Sequence, residues 1–349
     1  MTKFLIVKKL NSSKMNNMNI LFYFILILST TIVINSSSWF NAWMGMEINL
    51  MSFIPLMSMK KIKKTSNSMM MYFIIQAGAS SLLFMTIIMM KMQMIFFKIN
   101  FMMSCLQLSL LMKLGASPFH WWMPKILKNL NWMNCFILLT WQKIAPMILM
   151  MSTNNNYLIY ISSLLSTFMG AILGMNQNSI KLIMAYSSIN HLGWLLITMI
   201  LNMNLLFIYF FIYSITNLMI CMLMNNLNYN FLNQLYKNNN QNMNNKLIMM
   251  SLFFSLAGLP PFIGFMPKLL TLIMMMKNNL IMESMLFIIM ATISLSFYIN
   301  PILSITIMMK FNSKWNFKIF QINKIMMSIL IMNLLLIMMI FTPMLNNNL

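Results

Sequence analysis

Lys113, Lys143 and Lys268 are the residues of this chain that demand a chemical explanation, because each lies inside a run of apolar residues. The acidic residues are Glu47 and Glu283, and the histidines are His120 and His191. Glu47 sits in "NAWMGMEINLMSF", close to the middle of an apolar run of its own. Amines, carboxylates and imidazoles are the side chains that take up and release protons. Desolvation disfavours the charged form of such a group and a nearby opposite charge favours it, so the proton affinity of a buried lysine depends on whether a carboxylate faces it. A charged side chain at the centre of a bilayer costs about 2.5–3.5 kcal/mol, so four unpaired ones would cost on the order of 10 kcal/mol. Glu47 and the three lysines are therefore expected to be paired, and loading and releasing protons is the chemistry they suit. Holding helices together is the plainer alternative, but buried ion pairs stabilise little once desolvation is counted. Glu283, at the lip of its run, is expected to be a solvated end residue.

Spacing adds to this reading. His120 follows Lys113 by seven residues, two helical turns, and the two would share one face of an unbroken helix. Pro118 interrupts that helix. Proline removes a backbone hydrogen bond and frees a carbonyl, which membrane helices tolerate where the freed group meets protein or water. The device recurs in "SLAGLPPFIGFMPKLL", where Gly258, Pro260, Pro261, Gly264 and Pro267 precede Lys268. Two interrupted helices that each carry a buried lysine, with ordinary spans between, form the pattern of inverted-repeat transporters with sites near the midplane. Two merely kinked helices are the competing reading. Lys143, in "TWQKIAP", lies near the centre of its run with Pro146 one turn later.

The elements that must position these residues follow from composition. Of 349 residues 60% are hydrophobic and only 7% charged, with a mean hydropathy of +0.77, which fits bilayer spans rather than a soluble core. Runs long enough to cross about 30 Å of hydrocarbon number eleven: 19 to 37, 39 to 59, 69 to 90, 100 to 124, 132 to 152, 157 to 175, 180 to 201, 204 to 224, 247 to 276, 284 to 309 and 325 to 343. They lack the in-out alternation of a barrel, and lipid leaves no other way to satisfy the backbone, so the expected fold is an all-α integral membrane bundle. The expected organisation is an N-terminal extension over 1–18, one transmembrane domain over 19–343 and a short tail over 344–349.

The net charge of +21 invites a nucleic-acid reading, which the placement of the lysines argues against. All 23 cations are lysine; 17 fall in loops on the N-terminal side of the spans and three, Lys91, Lys98 and Lys277, on the other. That asymmetry marks orientation, with the N-terminus on the positive side and the C-terminus across the membrane. The "KKIKK" at 60 to 64 has no aromatic residues interleaved and reads as a topology anchor, with no nucleic-acid partner.

Fifty Met, only Val7 and Val33 for valine, and no Arg or Asp suggest a coding strand poor in G and C. Reading ATA as Met, as animal mitochondria do, accounts for the methionine excess. Met here replaces Leu and Ile throughout rather than clustering, which argues against a copper role. Cys105, Cys135 and Cys221 are single and apolar-flanked, without metal-ligand or disulfide spacing. The first 18 residues imitate a targeting peptide but are read as an extension. The Asn-rich tracts at 153 to 156 and 225 to 245 are expected to be polar loops.

"SSWFNAWMGMEINLMSFIP" at 37 to 55, "MKLGASPFHWWMPK" at 112 to 125, "LTWQKIAP" at 139 to 146, "MAYSSINHLGW" at 184 to 194 and "GLPPFIGFMPK" at 258 to 268 resemble, in order, the subunit 2 family of mitochondrial NADH dehydrogenases. That family is one of the antiporter-like subunits in the membrane arm of respiratory complex I, and its animal form looks like a shortened version lacking three N-terminal helices. The Met and Asn excess is similar to that of arthropod members.

The resemblance implies a role for each residue. Glu47 would be the acid of a lysine-glutamate pair, Lys113 its lysine on the first broken helix, Lys143 the central lysine, and Lys268 the lysine of the second broken helix. His120 and His191 would lie along the hydrated polar axis. It further implies an inner-membrane location, partnership with other membrane-arm subunits, including further antiporter-like ones, and flavin, iron-sulfur clusters and ubiquinone held elsewhere, with no cofactor or metal here. Two departures stand out: the basic pair usual before "MAYSS" is Lys181-Leu182, and the aromatic usual after the last lysine is Leu269. A free-standing cation/proton antiporter on the same repeat and a passive assembly scaffold remain as alternatives.

Overall fold

The computed structural model describes residues 2–58, 63–92, 99–153, 156–237 and 243–311. Fourteen helices occupy them: α1 (Thr2–Ile34), α2 (Trp39–Met57), α3 (Lys63–Lys91), α4 (Ile99–Leu114), α5 (Trp122–Leu127), α6 (Trp132–Leu139), α7 (Trp141–Met151), α8 (Asn156–Gly174), α9 (Ile180–Leu201), α10 (Met203–Leu227), α11 (Leu232–Lys237), α12 (Met243–Ala257), α13 (Phe265–Lys277) and α14 (Ile281–Phe311). No strand occurs among the described residues; Ser179 and Phe231 form an isolated bridge. Among the described residues six stretches are long and apolar enough to cross a membrane: Thr65–Lys91, Trp132–Met151, Tyr157–Gly174, Ile180–Leu201, Met203–Leu227 and Ile281–Thr306. Met18–Ile34 and Lys246–Ala257 are apolar but shorter. The expected run at 325 to 343 and the tail at 344–349 lie outside the described residues.

The chain divides into two compact units, Met1–Gly115 with Asn129–Leu158, and Ala116–Lys128 with Ile159–Leu349. In the first unit α2 packs on α1 and α3, α4 on α3 and α7, and α7 also on α1 and α6. A β-carbon at Gly45 of α2 would lie 2.6 Å from Val33 Cγ2, so the glycine sets how closely α1 and α2 approach. Phe53, Leu56, Leu83, Leu106 and Leu110 are wholly buried in this unit.

In the second unit α9 is the central helix, packed by α5, α10, α13 and α14. A β-carbon at Gly170 of α8 would come within 2.6 Å of the Asn190 backbone nitrogen, and one at Gly193 of α9 would strike Thr167. Small residues at such crossings let membrane helices pack backbone to backbone where no hydrophobic drive exists between them. Throughout both units serine and threonine hydroxyls donate to the carbonyl three residues earlier, as Ser29 does to Leu26 and Ser188 to Ala185, which satisfies them inside apolar helices.

Several boundaries differ from expectation. The run 132 to 152 breaks at Thr140, whose φ of −121° and ψ of −68° leave the helical region. Its hydroxyl turns back to the Phe136 carbonyl at 2.8 Å, and Pro146, lacking an N–H, cannot bond the Gln142 carbonyl. The tract 225 to 245 is not all loop: α10 continues to Leu227, Asn228 turns the chain with a φ of 55°, and α11 follows. Gln234 Oε1 accepts from Asn230 N at 2.6 Å and Phe231 N at 3.2 Å to start that helix. Asparagine tolerates the left-handed conformation, so this polar tract can close one helix and open another. α1 begins at Thr2, so its first turns coincide with the segment expected as an extension.

Candidate functional site

Lys113 occupies the last turn of α4 and is 7% exposed. Gly115, with φ of 71°, ends the helix by donating to Leu111 O at 3.0 Å and Met112 O at 3.3 Å. Gln76 Nε2 on α3 donates to the Lys113 carbonyl at 3.3 Å, satisfying one of the terminal carbonyls. Glu47, at the midpoint of α2, is half-buried, and no direct ion-pair contact joins it to Lys113 among the described residues.

Lys143, 2% exposed, sits in the first turn of α7, just past the break at Thr140. Its amide donates to the Thr140 carbonyl at 3.1 Å. Beside it, Gln142 Nε2 donates to Asn49 Oδ1 at 3.0 Å, while Gln142 Oε1 accepts from the Tyr72 hydroxyl at 3.3 Å. This bridge ties α7 to α2 and α3. Asn134 Nδ2 donates to the Leu56 carbonyl at 2.8 Å, and Gln107 Nε2 to Thr153 Oγ1 at 2.8 Å. The first unit therefore contains Glu47, Lys113 and Lys143 on α2, α4 and α7, with α7 packed on α4 and hydrogen-bonded to α2.

The second unit contains His120, His191 and Lys268. Lys268, in the first turn of α13 and 6% exposed, donates from Nζ to Ala257 O at 2.9 Å and Leu256 O at 3.4 Å. These are carbonyls that the end of α12 leaves without a helical partner, and their dipoles favour a cation. Gly258 closes α12: Leu259 N and Gly258 N reach back to Phe254 O at 3.2 and 3.1 Å, with φ at Gly258 of +77°. A β-carbon on Gly258 would sit 2.9 Å from Lys268 Cδ, so the glycine also makes room for the lysine stem. A β-carbon on Gly264 would overlap the Ser255 carbonyl.

His120 lies between α4 and α5, half-buried, with Nδ1 3.1 Å from Ser117 Oγ. The helix stops at Leu114 and restarts at Trp122, so Lys113 and His120 do not share a face of one helix; Gly115 and Pro118 remove that possibility. His191, buried in α9, has Nδ1 2.9 Å from the Tyr209 hydroxyl, and its ring centroid lies 5.1 Å from that of Tyr213.

Sequence reasoning missed the amide network of Gln76, Asn49, Gln142, Asn134 and Gln107, although uncharged amides inside long apolar runs were a readable signal. Glu283 lies at the end of its span as expected, in the first turn of α14 and partly exposed, but it also accepts a hydrogen bond from Tyr160 of α8, which the sequence did not indicate. The positive end of a helix dipole and a facing hydroxyl hold it there. Lys246, expected in a loop, is buried in the first turn of α12.

Residues 36–294 match the family described as NADH:quinone oxidoreductase/Mrp antiporter, TM, a stretch that includes Glu47, Lys113, His120, Lys143, His191 and Lys268. Over 262 residues the chain is 42% identical to NADH-ubiquinone oxidoreductase chain 2 of Anopheles gambiae, covering 73% of this chain and 76% of the relative. The same chain of Locusta migratoria is 38% identical over 261 residues, covering 72% and 75%. In fold, a chain of respiratory complex I from Thermus thermophilus is similar with a TM-score of 0.76 at 17% identity, over 82% of this chain and 70% of that one.

Proposed function

This chain belongs to the NADH-ubiquinone oxidoreductase chain 2 family, and on that premise we propose that it carries protons across the membrane arm of NADH:ubiquinone oxidoreductase through Glu47, Lys113, Lys143 and Lys268. It is an all-helical, antiporter-like membrane subunit of a proton-translocating complex. NADH oxidation and quinone reduction belong to other subunits, with their flavin and iron-sulfur clusters. Membership of a family named for the complex favours this role over a free-standing antiporter.

One observation carries the proposal: three lysines on three different helices are each more than nine-tenths buried, at positions where packing alone would select a hydrocarbon side chain. Each site has the parts of a proton station. At Lys113, the Glu47 carboxylate of α2 is the opposite charge whose approach or retreat would change the proton affinity of the amine. At Lys143, the break at Thr140 and the proline at 146 place the amine beside irregular backbone, the kind of place where membrane proteins admit water. At Lys268, the two α12 carbonyls stabilise the ammonium and can release it by a small rotation of the stem. His120 and His191, each hydrogen-bonded through Nδ1 to a hydroxyl, add groups that accept and donate.

The finer architecture follows the same reading. Eleven spans cross the membrane, the runs that carry Lys113 and Lys268 being the two interrupted ones, and residues 19–343 act as one antiporter-like domain with short segments at 1–18 and 344–349. The lysine asymmetry supports an N-terminus in the mitochondrial matrix and a C-terminus in the intermembrane space.

Lys143→Met tests the function directly, because it nearly preserves volume while removing the titratable group. Assembly of the complex should persist while proton movement per NADH falls. Unchanged turnover with unchanged proton yield would leave Lys143 a structural residue and overturn the proposal.

A further inference from the structure

Lys246 is 2% exposed, and its Nζ has no hydrogen-bond partner among the described residues. Its place is the first turn of α12, where a lysine's long stem ordinarily lets the ammonium snorkel into water. An enclosed ammonium without an acceptor among the described residues costs several kcal/mol, which an anchor free to reach water would not incur. A chain kept for stability alone would place methionine here, as it does at Met249 and Met250 on the same helix.

The same helix leads to Lys268. Lys246 and Ala257 are eleven residues apart, about three turns, and so lie on one face of α12, separated by about 16 Å at 1.5 Å per residue. Phe253, on that face, is wholly buried, so the face is turned into the second unit. At its far end the Ala257 carbonyl accepts from Lys268 Nζ. About 16 Å is roughly half the ~30 Å hydrocarbon thickness, the distance from one membrane surface to a midplane site.

We propose that Lys246 is a further proton-carrying residue, the uptake station of the second unit: its amine takes a proton from the lysine-rich face and passes it through water along α12 toward Lys268. The transfer is a plain proton exchange, in which Nζ passes between amine and ammonium and a water molecule accepts what it gives up. This inference rests on the proton-carrying function proposed above.

The test compares Lys246→Met and Lys246→Arg in the assembled complex in proteoliposomes, with Lys143→Met alongside, measuring assembly, NADH oxidation and proton movement per NADH. Arginine keeps the charge and hydrogen-bonding capacity but does not give up its proton. Loss of proton yield in both Lys246 variants, with the arginine form assembling normally, is the expected result. A normal proton yield in the arginine variant, whatever methionine does, would mean that Lys246 only anchors the helix or holds an anion, and would overturn the inference. A normal yield in the methionine variant would overturn it equally. If Lys143→Met also pumps normally, the underlying function fails; if it alone is defective, only the role of Lys246 does.

Discussion

Glu47 and Lys113 allow pairing and proton storage to be separated, because the two roles forecast opposite behaviour for a double variant. If they matter only as opposite charges, removing one partner strands the other, and Glu47→Gln combined with Lys113→Met should restore most of what either single change loses. If Lys113 stores a proton whose affinity Glu47 sets, the double variant should assemble well and still pump poorly, since nothing remains at that station to hold the proton. Both single variants and the double, scored separately for assembly and for proton movement per NADH, decide it. A double variant that pumps normally would remove Lys113 from the path.

The joint between α12 and α13 is the element on which Lys268 depends. Two glycines make it, for different reasons: Gly258 adopts a φ of +77° that L side chains rarely take, and Gly264 lies against the Ser255 carbonyl. Gly264→Ala should therefore push α13 off α12, carry Lys268 away from its two carbonyl acceptors, and destabilise by about 1–3 kcal/mol or more, the usual range for overpacking. Gly78 of α3 is the control, since a β-carbon there meets nothing within 4 Å and the residue is exposed. Gly78→Ala should be neutral or stabilising by up to about 1 kcal/mol through helix propensity. Thermal resistance of the detergent-extracted complex would report both, and equal behaviour of the two variants would contradict the packing argument.

For the molecule as a whole, 16 lysines on one side against three on the other, with Lys246 set aside as buried, and the eleven crossings proposed above predict a C-terminal "MLNNNL" in the intermembrane space and the "KKIKK" segment on the matrix side. A protease added outside mitochondria whose outer membrane has been opened and whose inner membrane is intact should cut the C-terminus and spare that segment. Protection of the C-terminus would require an even number of crossings or the reverse orientation.

The amino-acid sequence by itself determined that the chain is helical and membrane-embedded, because backbone groups in lipid have few ways to be satisfied and unbroken apolar runs exclude a barrel. It also singled out Glu47, Lys113, Lys143 and Lys268, since a charge in an apolar run costs enough to need a reason. The interruptions near Pro118 and Pro260 were legible for the same local reason: proline and glycine act on their own backbone. Which groups face one another was not legible. That Lys268 reaches Ala257 rather than a carboxylate, that Gln142 joins Asn49 to Tyr72, that Tyr160 holds Glu283, and that Lys246 is enclosed instead of solvated all depend on how helices distant in sequence cross. The break at Thr140 belongs to the same class, because threonine is ordinarily tolerated in a helix and only its hydroxyl bond and dihedral angles reveal the kink. Sequence records the cost of burying a polar group, which is local; the partner that offsets the cost is chosen by packing, which is not.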